Sequence, residues 1–188
     1  RVNGVCIKNG KNKIIGVNST STYGRQRFTI AHELYHLYFH EDFEGIVCFA
    51  DLAVSKSYKE KEADMFASYF LAPYEALLYF VKKQLAKEKQ ELEIEDVVRI
   101  EQHFGMSRQA VLWRLINDGY LKSEKAETMK TGIITSARKL GYDDKLYTPT
   151  PKDKQYATFG KYIRLAEVLK DRELVSIGKY EELLLDGF

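Results

Sequence analysis

Two histidines four residues apart, with a glutamate directly after the first, stand near the start of this chain: His32-Glu33-Leu34-Tyr35-His36. On an α-helix, residues four apart lie about 40° apart in azimuth and one turn along the axis, so both imidazoles reach one metal ion. Glu33 then sits beside that ion, placed to take a proton from water that the ion polarises. This is the chemistry of a hydrolase that attacks a carbonyl with activated water. A hydrolytic zinc site keeps three protein ligands and one open position, so a third ligand has to come from elsewhere in the chain.

His40 is one further four-residue step along. Eight residues of helix advance about 12 Å, too far for His40 to share an ion with His32, and it reads as a partner for the helix end. Asp42 stands at the third-ligand offset of the metzincins, a group that needs a glycine at position 39 to end the helix. Phe39 is there instead, which puts Asp42 behind a better choice in Glu60-Lys61-Glu62-Ala63-Asp64. Glu60 and Asp64 lie one turn apart and extend the stripe of Ala63, Ala67 and Leu71. Their carboxylates are thus aimed at the interior, where an unpaired charge is costly. A metal ion and its histidine satisfy both, with Glu60 as the third ligand. Asp64 accepts the other ring N–H of a ligand histidine, which fixes the tautomer. Glu62 is rotated about 200° from Glu60 and belongs to the solvated face.

These side chains need two helices held at a fixed distance. No Gly or Pro interrupts residues 25–40, and Phe28, Ala31, Leu34 and Tyr38 recur at helical spacing. Residues 57–71 repeat the pattern with Ala63, Phe66, Ala67, Phe70 and Leu71, and Pro73 stops it. Ahead of them, residues 4–8 and 13–17 are β-branched runs around Asn9-Gly10-Lys11-Asn12, a hairpin signal. Residues 46–50 form a short strand. A third helix starts near Tyr74 and fades into the charged run 82–95, a solvated connection. Two shorter helices, 94–103 and 107–117, flank Phe104-Gly105-Met106. After Leu121 the texture shifts toward Thr, Lys and Gly, with a break at Thr148-Pro149-Thr150-Pro151 and helical patterns over 161–170 and 176–185.

Composition narrows the class. The 188 residues carry 29 Lys and Arg against 27 Asp and Glu, a net charge of +2, which is not a surface built to coat nucleic acid. Apolar residues make up 45%, enough for a buried core, and only three prolines occur, which excludes collagen-like and Pro-rich classes. No apolar run approaches the ~18–20 residues that span a bilayer. The first residues lack a signal peptide's apolar core, and opening at Arg1 rather than Met leaves room for residues upstream. Cys6 and Cys48 make no disulfide framework and read as structural thiols in a reducing compartment, so the expected location is the cytoplasm.

The run Arg27-Phe28-Thr29-Ile30-Ala31-His32-Glu33-Leu34-Tyr35-His36-Leu37, followed by Glu60-x-x-Ala63-Asp64-x-Phe66-Ala67 and Leu71-Ala72-Pro73, resembles the ImmA/IrrE family of metallopeptidases. The resemblance extends from the hairpin to about Gly119. It implies a gluzincin-like zinc site with His32, His36 and Glu60 as ligands and Glu33 as base. It also implies proteolysis of a regulator, in that family a helix-turn-helix (XRE-type) repressor often encoded beside the protease. Two departures stand out. Tyr35 occupies the position of the glycine common in the family's H-E-L-G-H, and Phe70-Leu71-Ala72-Pro73 varies its L-L-M-P. Neither falls on a ligand position.

The stretch Phe104-Gly105-Met106-Ser107-x-x-Ala110-Val111-x-x-Arg114-Leu115 reads like a helix-turn-helix. Between Glu91 and Lys122, however, four basic residues face six acidic ones, a sign that opposes phosphate binding. The pair is expected to be a packing module with Trp113 in its core, and no direct nucleic-acid contact is expected. The fold expected overall is α+β. A mainly helical zincin-like core with a small N-terminal antiparallel sheet spans residues 1–90, a helix-turn-helix-like subdomain spans 91–121 and a C-terminal helical tail spans 122–188. The function expected is a zinc-dependent endopeptidase acting on a protein substrate. Its alternatives are a non-catalytic, sensing or antitoxin-like binding module and a DNA-binding regulator. The donor that steadies the oxyanion stays open among thirteen tyrosines, His103 and Arg114.

The purified chain should bind about one zinc ion, measured by elemental mass spectrometry. Glu60→Ala should abolish binding as fully as His32→Ala or His36→Ala, because each leaves an incomplete set of three. Asp64→Ala should weaken affinity about 10–100-fold, and Glu62→Ala should leave it unchanged. Full zinc content in Glu60→Ala would contradict the ligand assignment.

Overall fold

A computed structural model describes residues 2–9, 12–39, 45–49 and 58–185, and His40 and Asp42 lie outside the described residues. The fold is α+β, helical in the main with a small antiparallel sheet. Strands β1 (Val2–Asn9) and β2 (Asn12–Val17) pair in the register of a hairpin, from Gly4 opposite Val17 to Asn9 opposite Asn12. Strand β3 (Gly45–Phe49) pairs antiparallel along the other side of β1, giving the order β2-β1-β3. The β1–β3 ladder slips once. Val2 faces Phe49 and Gly4 faces Cys48, so Asn3 is an extra residue on β1. Cys6, in the middle of β1, is buried.

Helix α1 (Tyr23–Phe39) packs on β1 and against α2 (Tyr58–Leu71). The buried face of α2 is made of Ala63, Ala67 and Ser68, residues small enough to bring the two helix axes close. After Pro73, α3 (Tyr74–Tyr79) continues into one π-helical turn, Phe80–Gln84. The charged run read as a plain connection therefore begins as helix. Helix α4 (Ile94–Phe104) opens with a capping box between Glu93 and Asp96, and α5 (Arg108–Asn117) with Ser107 accepting from the Ala110 amide at 3.4 Å. Leu77, Val81, Leu92, Ile100, Met106 and Leu115 form the core among these helices. Gly24, in the first turn of α1, meets the α4–α5 turn. A Cβ there would stand 2.9 Å from the Ser107 nitrogen and 3.1 Å from the Met106 carbonyl carbon. That close approach sets the start of α5 beside α1.

The chain divides into two compact units, residues 1–149 and 150–188, and the division falls in the Thr-Pro break rather than after Leu121. Residues 122–149 were expected to begin a tail, yet they belong to the first unit. Ala126 and Met129, at the end of α6 (Ser123–Thr128), join the core above. Helix α7 (Ile133–Lys139) and the 3-10 turn Lys145–Tyr147 cover Val98 of α4 with Ala137, Leu146 and Tyr147. A buried ion pair between Arg108 and Glu101 holds this arrangement. Arg108 also donates to the Met129 carbonyl at 2.8 Å and to Ser136 Oγ at 2.9 Å, while the Tyr147 hydroxyl donates to Glu101 at 2.7 Å. Burial pushes the Glu101 carboxyl above its ordinary range, against the pull of Arg108 and Tyr147. The second unit holds α8 (Tyr162–Asp171) packed on α9 (Ile177–Leu185), with Ala166 buried. Among the described residues, no helix is long and apolar enough to cross a membrane.

A chain ending at Leu121 leaves Arg108 and Glu101 buried without three of their partners. A hydrogen bond to a buried charged group contributes about 1.5–3 kcal/mol, so losing three of them removes a large part of the ~5–15 kcal/mol that a domain has. Thermal unfolding followed by circular dichroism should therefore stay cooperative for residues 1–149 and be lost for residues 1–121. Equal stability of the two would show that α6 and α7 are not part of the unit.

Candidate metal centre

The two histidines of α1 face α2, with their Nε2 atoms 3.1 Å apart. Glu60, in the first turn of α2, reaches both: one carboxylate oxygen is 3.3 Å from His32 Nε2 and the other 3.3 Å from His36 Nε2. One ligand atom from each of the three residues lies within 4.8 Å of the others, a group able to hold a metal ion. Asp64, one turn further along α2, places Oδ1 3.0 Å from His32 Nδ1. That contact orients the ring so that Nε2 points to the centre. Burial works against the His32 imidazolium, but the hydrogen bonds to Asp64 and Glu60 outweigh it and its pKa is pushed up to about 9. Hydrogen bonds from His32 and His36 hold the Glu60 carboxyl well below the usual carboxylate range.

Glu62 turns away from this group, but not into open solvent. It accepts a hydrogen bond from the Tyr35 hydroxyl at 2.9 Å. The Tyr35 ring packs edge-on to His36 and against Phe39 and Phe66. The bulky Tyr35 thus buttresses the back of the His36 ring.

Glu33 supplies a test of whether the site suits a cation. It is 0% exposed, and neither carboxylate oxygen has a hydrogen-bond partner among the described residues. A buried carboxylate without a donor is costly, and this one lies in the turn that carries His32 and His36. The residues present fit a metal ion and its water. Space for Glu33 comes from the sheet. A Cβ on Gly4 would stand 2.7 Å from Glu33 Oε1 and would also meet the Thr29 methyl.

A cleft of about 940 Å³ opens over the group. Its floor is α1, with Thr29, His32 and Glu33. One wall is α2, with Lys61, Met65 and Tyr69, and the facing wall is α5, with Gln109, Trp113 and Asn117. Trp113 is therefore not in the core of the helical pair, as its apolar neighbours suggested. It is 39% exposed and lines the cleft, because Val111, Leu112 and Leu115 occupy the opposite face of α5. Asn3 reaches the cleft from β1. In a regular strand Asn3 and Gly4 point to opposite faces, and the bulge re-aims one of them. Of the oxyanion donors left open by the sequence, His103 stacks on Phe80 at 4.2 Å. Arg114 is taken up by the Ser68 and Ala72 carbonyls and by Asp118. Tyr69 lines the cleft, its hydroxyl donating to Asp118 at 3.1 Å. Asn3 and Gly4 escaped the sequence reading, and Trp113 was placed in the core, because each matters through contact with a different element, which no local spacing encodes.

A helix-borne His-Glu-x-x-His facing a carboxylate from a second helix, at the base of an open cleft in an α+β fold, defines a metallopeptidase-type protein. Residues 2–115, well over half of the chain, match the peptidase M78 family model described as the IrrE N-terminal-like domain, and the chain belongs to that family. No curated protein matches it.

Gly4→Ala forces a methyl group into the space of Glu33 and Thr29. The expected cost is about 1–3 kcal/mol of stability, read from denaturant unfolding, together with loss of peptidase activity. Unchanged stability would show that β1 can yield at this point.

Proposed function

We propose that this chain is a zinc-dependent endopeptidase of the cytoplasm, cleaving a helix-turn-helix repressor encoded nearby. The observation that carries the hydrolytic part is the buried, unpartnered Glu33 carboxylate beside the His32, His36 and Glu60 group. Two imidazoles and one carboxylate are the donor set of a hydrolytic zinc site with an open position. Zinc held there would supply a Lewis acid that polarises both water and the peptide carbonyl.

The chain's own residues do the rest. Glu33 takes a proton from the attacking water at a carboxylate oxygen and passes it to the leaving amine. Asp64 keeps His32 in the tautomer whose Nε2 is free to ligate. The open cleft between α2 and α5 admits an extended peptide. The choice of a repressor as substrate rests on the family likeness, and the cytoplasmic setting on the cysteine usage. A DNA-reading role is disfavoured because both cations of α5, Arg108 and Arg114, are buried and engaged internally.

The test is incubation of the zinc-loaded chain with the helix-turn-helix regulator encoded beside it, followed by mass spectrometry of the fragments. Glu33→Gln should retain zinc and lose about 10²–10⁴-fold in rate, since an amide cannot act as a base. Cleavage at the normal rate by Glu33→Gln would overturn the mechanism. Tight binding without cleavage by the wild-type chain would favour the binding-module alternative.

A further inference from the structure

The face of α5 turned to the cleft consists of Gln109, Ala110, Trp113 and Asn117, residues that recur at one-turn spacing. It carries no cation. Opposite it, α2 presents Met65, 52% exposed, and Tyr69, and Phe28 of α1 lies in the same cleft. Large apolar side chains are thus left open to water inside the concavity that also holds His32 and Glu60, with Arg25 and Lys61 on the same lining. Single exposed apolar residues are ordinary, but a cluster within a cleft marks a surface that an apolar ligand covers.

We propose that the Trp113 wall selects peptides with a bulky apolar side chain, aromatic or long aliphatic, on a residue beside the bond to be cut. This rests on the peptidase reading above, since the same cleft holds both the metal-ligand group and the apolar wall. In a helix-turn-helix that reads DNA, the second helix offers cations to phosphates. In this chain Arg108 is spent on Glu101 and Arg114 on Asp118, so the helix offers an indole to a peptide instead. Trp113 acts here as a specificity determinant, and the chemistry stays with Glu33.

Trp113 is the only tryptophan of the chain, so its fluorescence reports directly on the cleft. The experiment titrates the zinc-loaded full chain with acetohydroxamate and with N-acetyl hydroxamates of phenylalanine, leucine, alanine and aspartate, using calorimetry and tryptophan emission. The phenylalanine and leucine compounds should bind at least about 10-fold tighter than the alanine one, the scale at which an apolar pocket discriminates, and should shift the emission to the blue. Trp113→Ala should erase that preference while keeping zinc content and acetohydroxamate affinity, and Trp113→Phe should retain most of it. Equal affinities across the series, a preference for aspartate, or a preference that survives Trp113→Ala would overturn the proposal while leaving the peptidase reading intact. A chain that holds no zinc and binds no hydroxamate would remove that reading, and the proposal with it.

Discussion

The packing of α1 on α2 is closed around groups that none of the surrounding structure could bury separately. Two imidazoles from one helix meet two carboxylates from the other, and each cancels the other's cost of leaving water. The small residues Ala63 and Ala67 bring the helices near enough for this to happen. The sheet then adapts to what α1 carries. Gly4 leaves room for the Glu33 carboxylate, and the extra residue Asn3 bends β1 at the same place. The His32, His36 and Glu60 group, the Glu33 carboxylate and the end of the sheet are one packing problem with one solution.

A second buried pair decides how the remainder of the first unit is used. Arg108 and Glu101 tie α5 to α4, and their additional hydrogen bonds to Met129, Ser136 and Tyr147 draw residues 122–149 into the same body. Satisfied in this way, the pair fixes which face of α5 is buried. Gly24 fixes where that helix begins. Together they turn a helical pair that resembles a DNA reader into a wall of the cleft. The sign of the charge was already unfavourable for phosphate, and burial of both arginines removes what cations the helix had.

The parts of this molecule legible in the sequence share one property: they repeat locally. The spacing of His32 and His36, the offset of Glu60 from Asp64, the apolar stripe through Ala63 and Ala67, the hairpin and the two helices around Gly105 all follow from the periods of helix and strand. A family match over residues 2–115 agrees with the family resemblance that these residues carry. The short helices α6 and α7 were not legible. Few apolar residues mark them, and their stability comes from Ala126, Met129 and Ala137 meeting helices distant in the chain.

The amino-acid sequence alone determined that one helix presents two imidazoles and a glutamate, and that a second presents a pair of acids one turn apart. Tertiary structure decided the rest: that these two faces meet at about 3 Å, that Glu33 is buried at the base of the cleft, and that Trp113 faces the cleft rather than the core. Helical periodicity specifies which residues share a face, because it depends only on neighbours a few positions away. It does not specify which face covers which, because that depends on close approaches such as Gly24 to Ser107 and Gly4 to Glu33, between residues far apart in the chain.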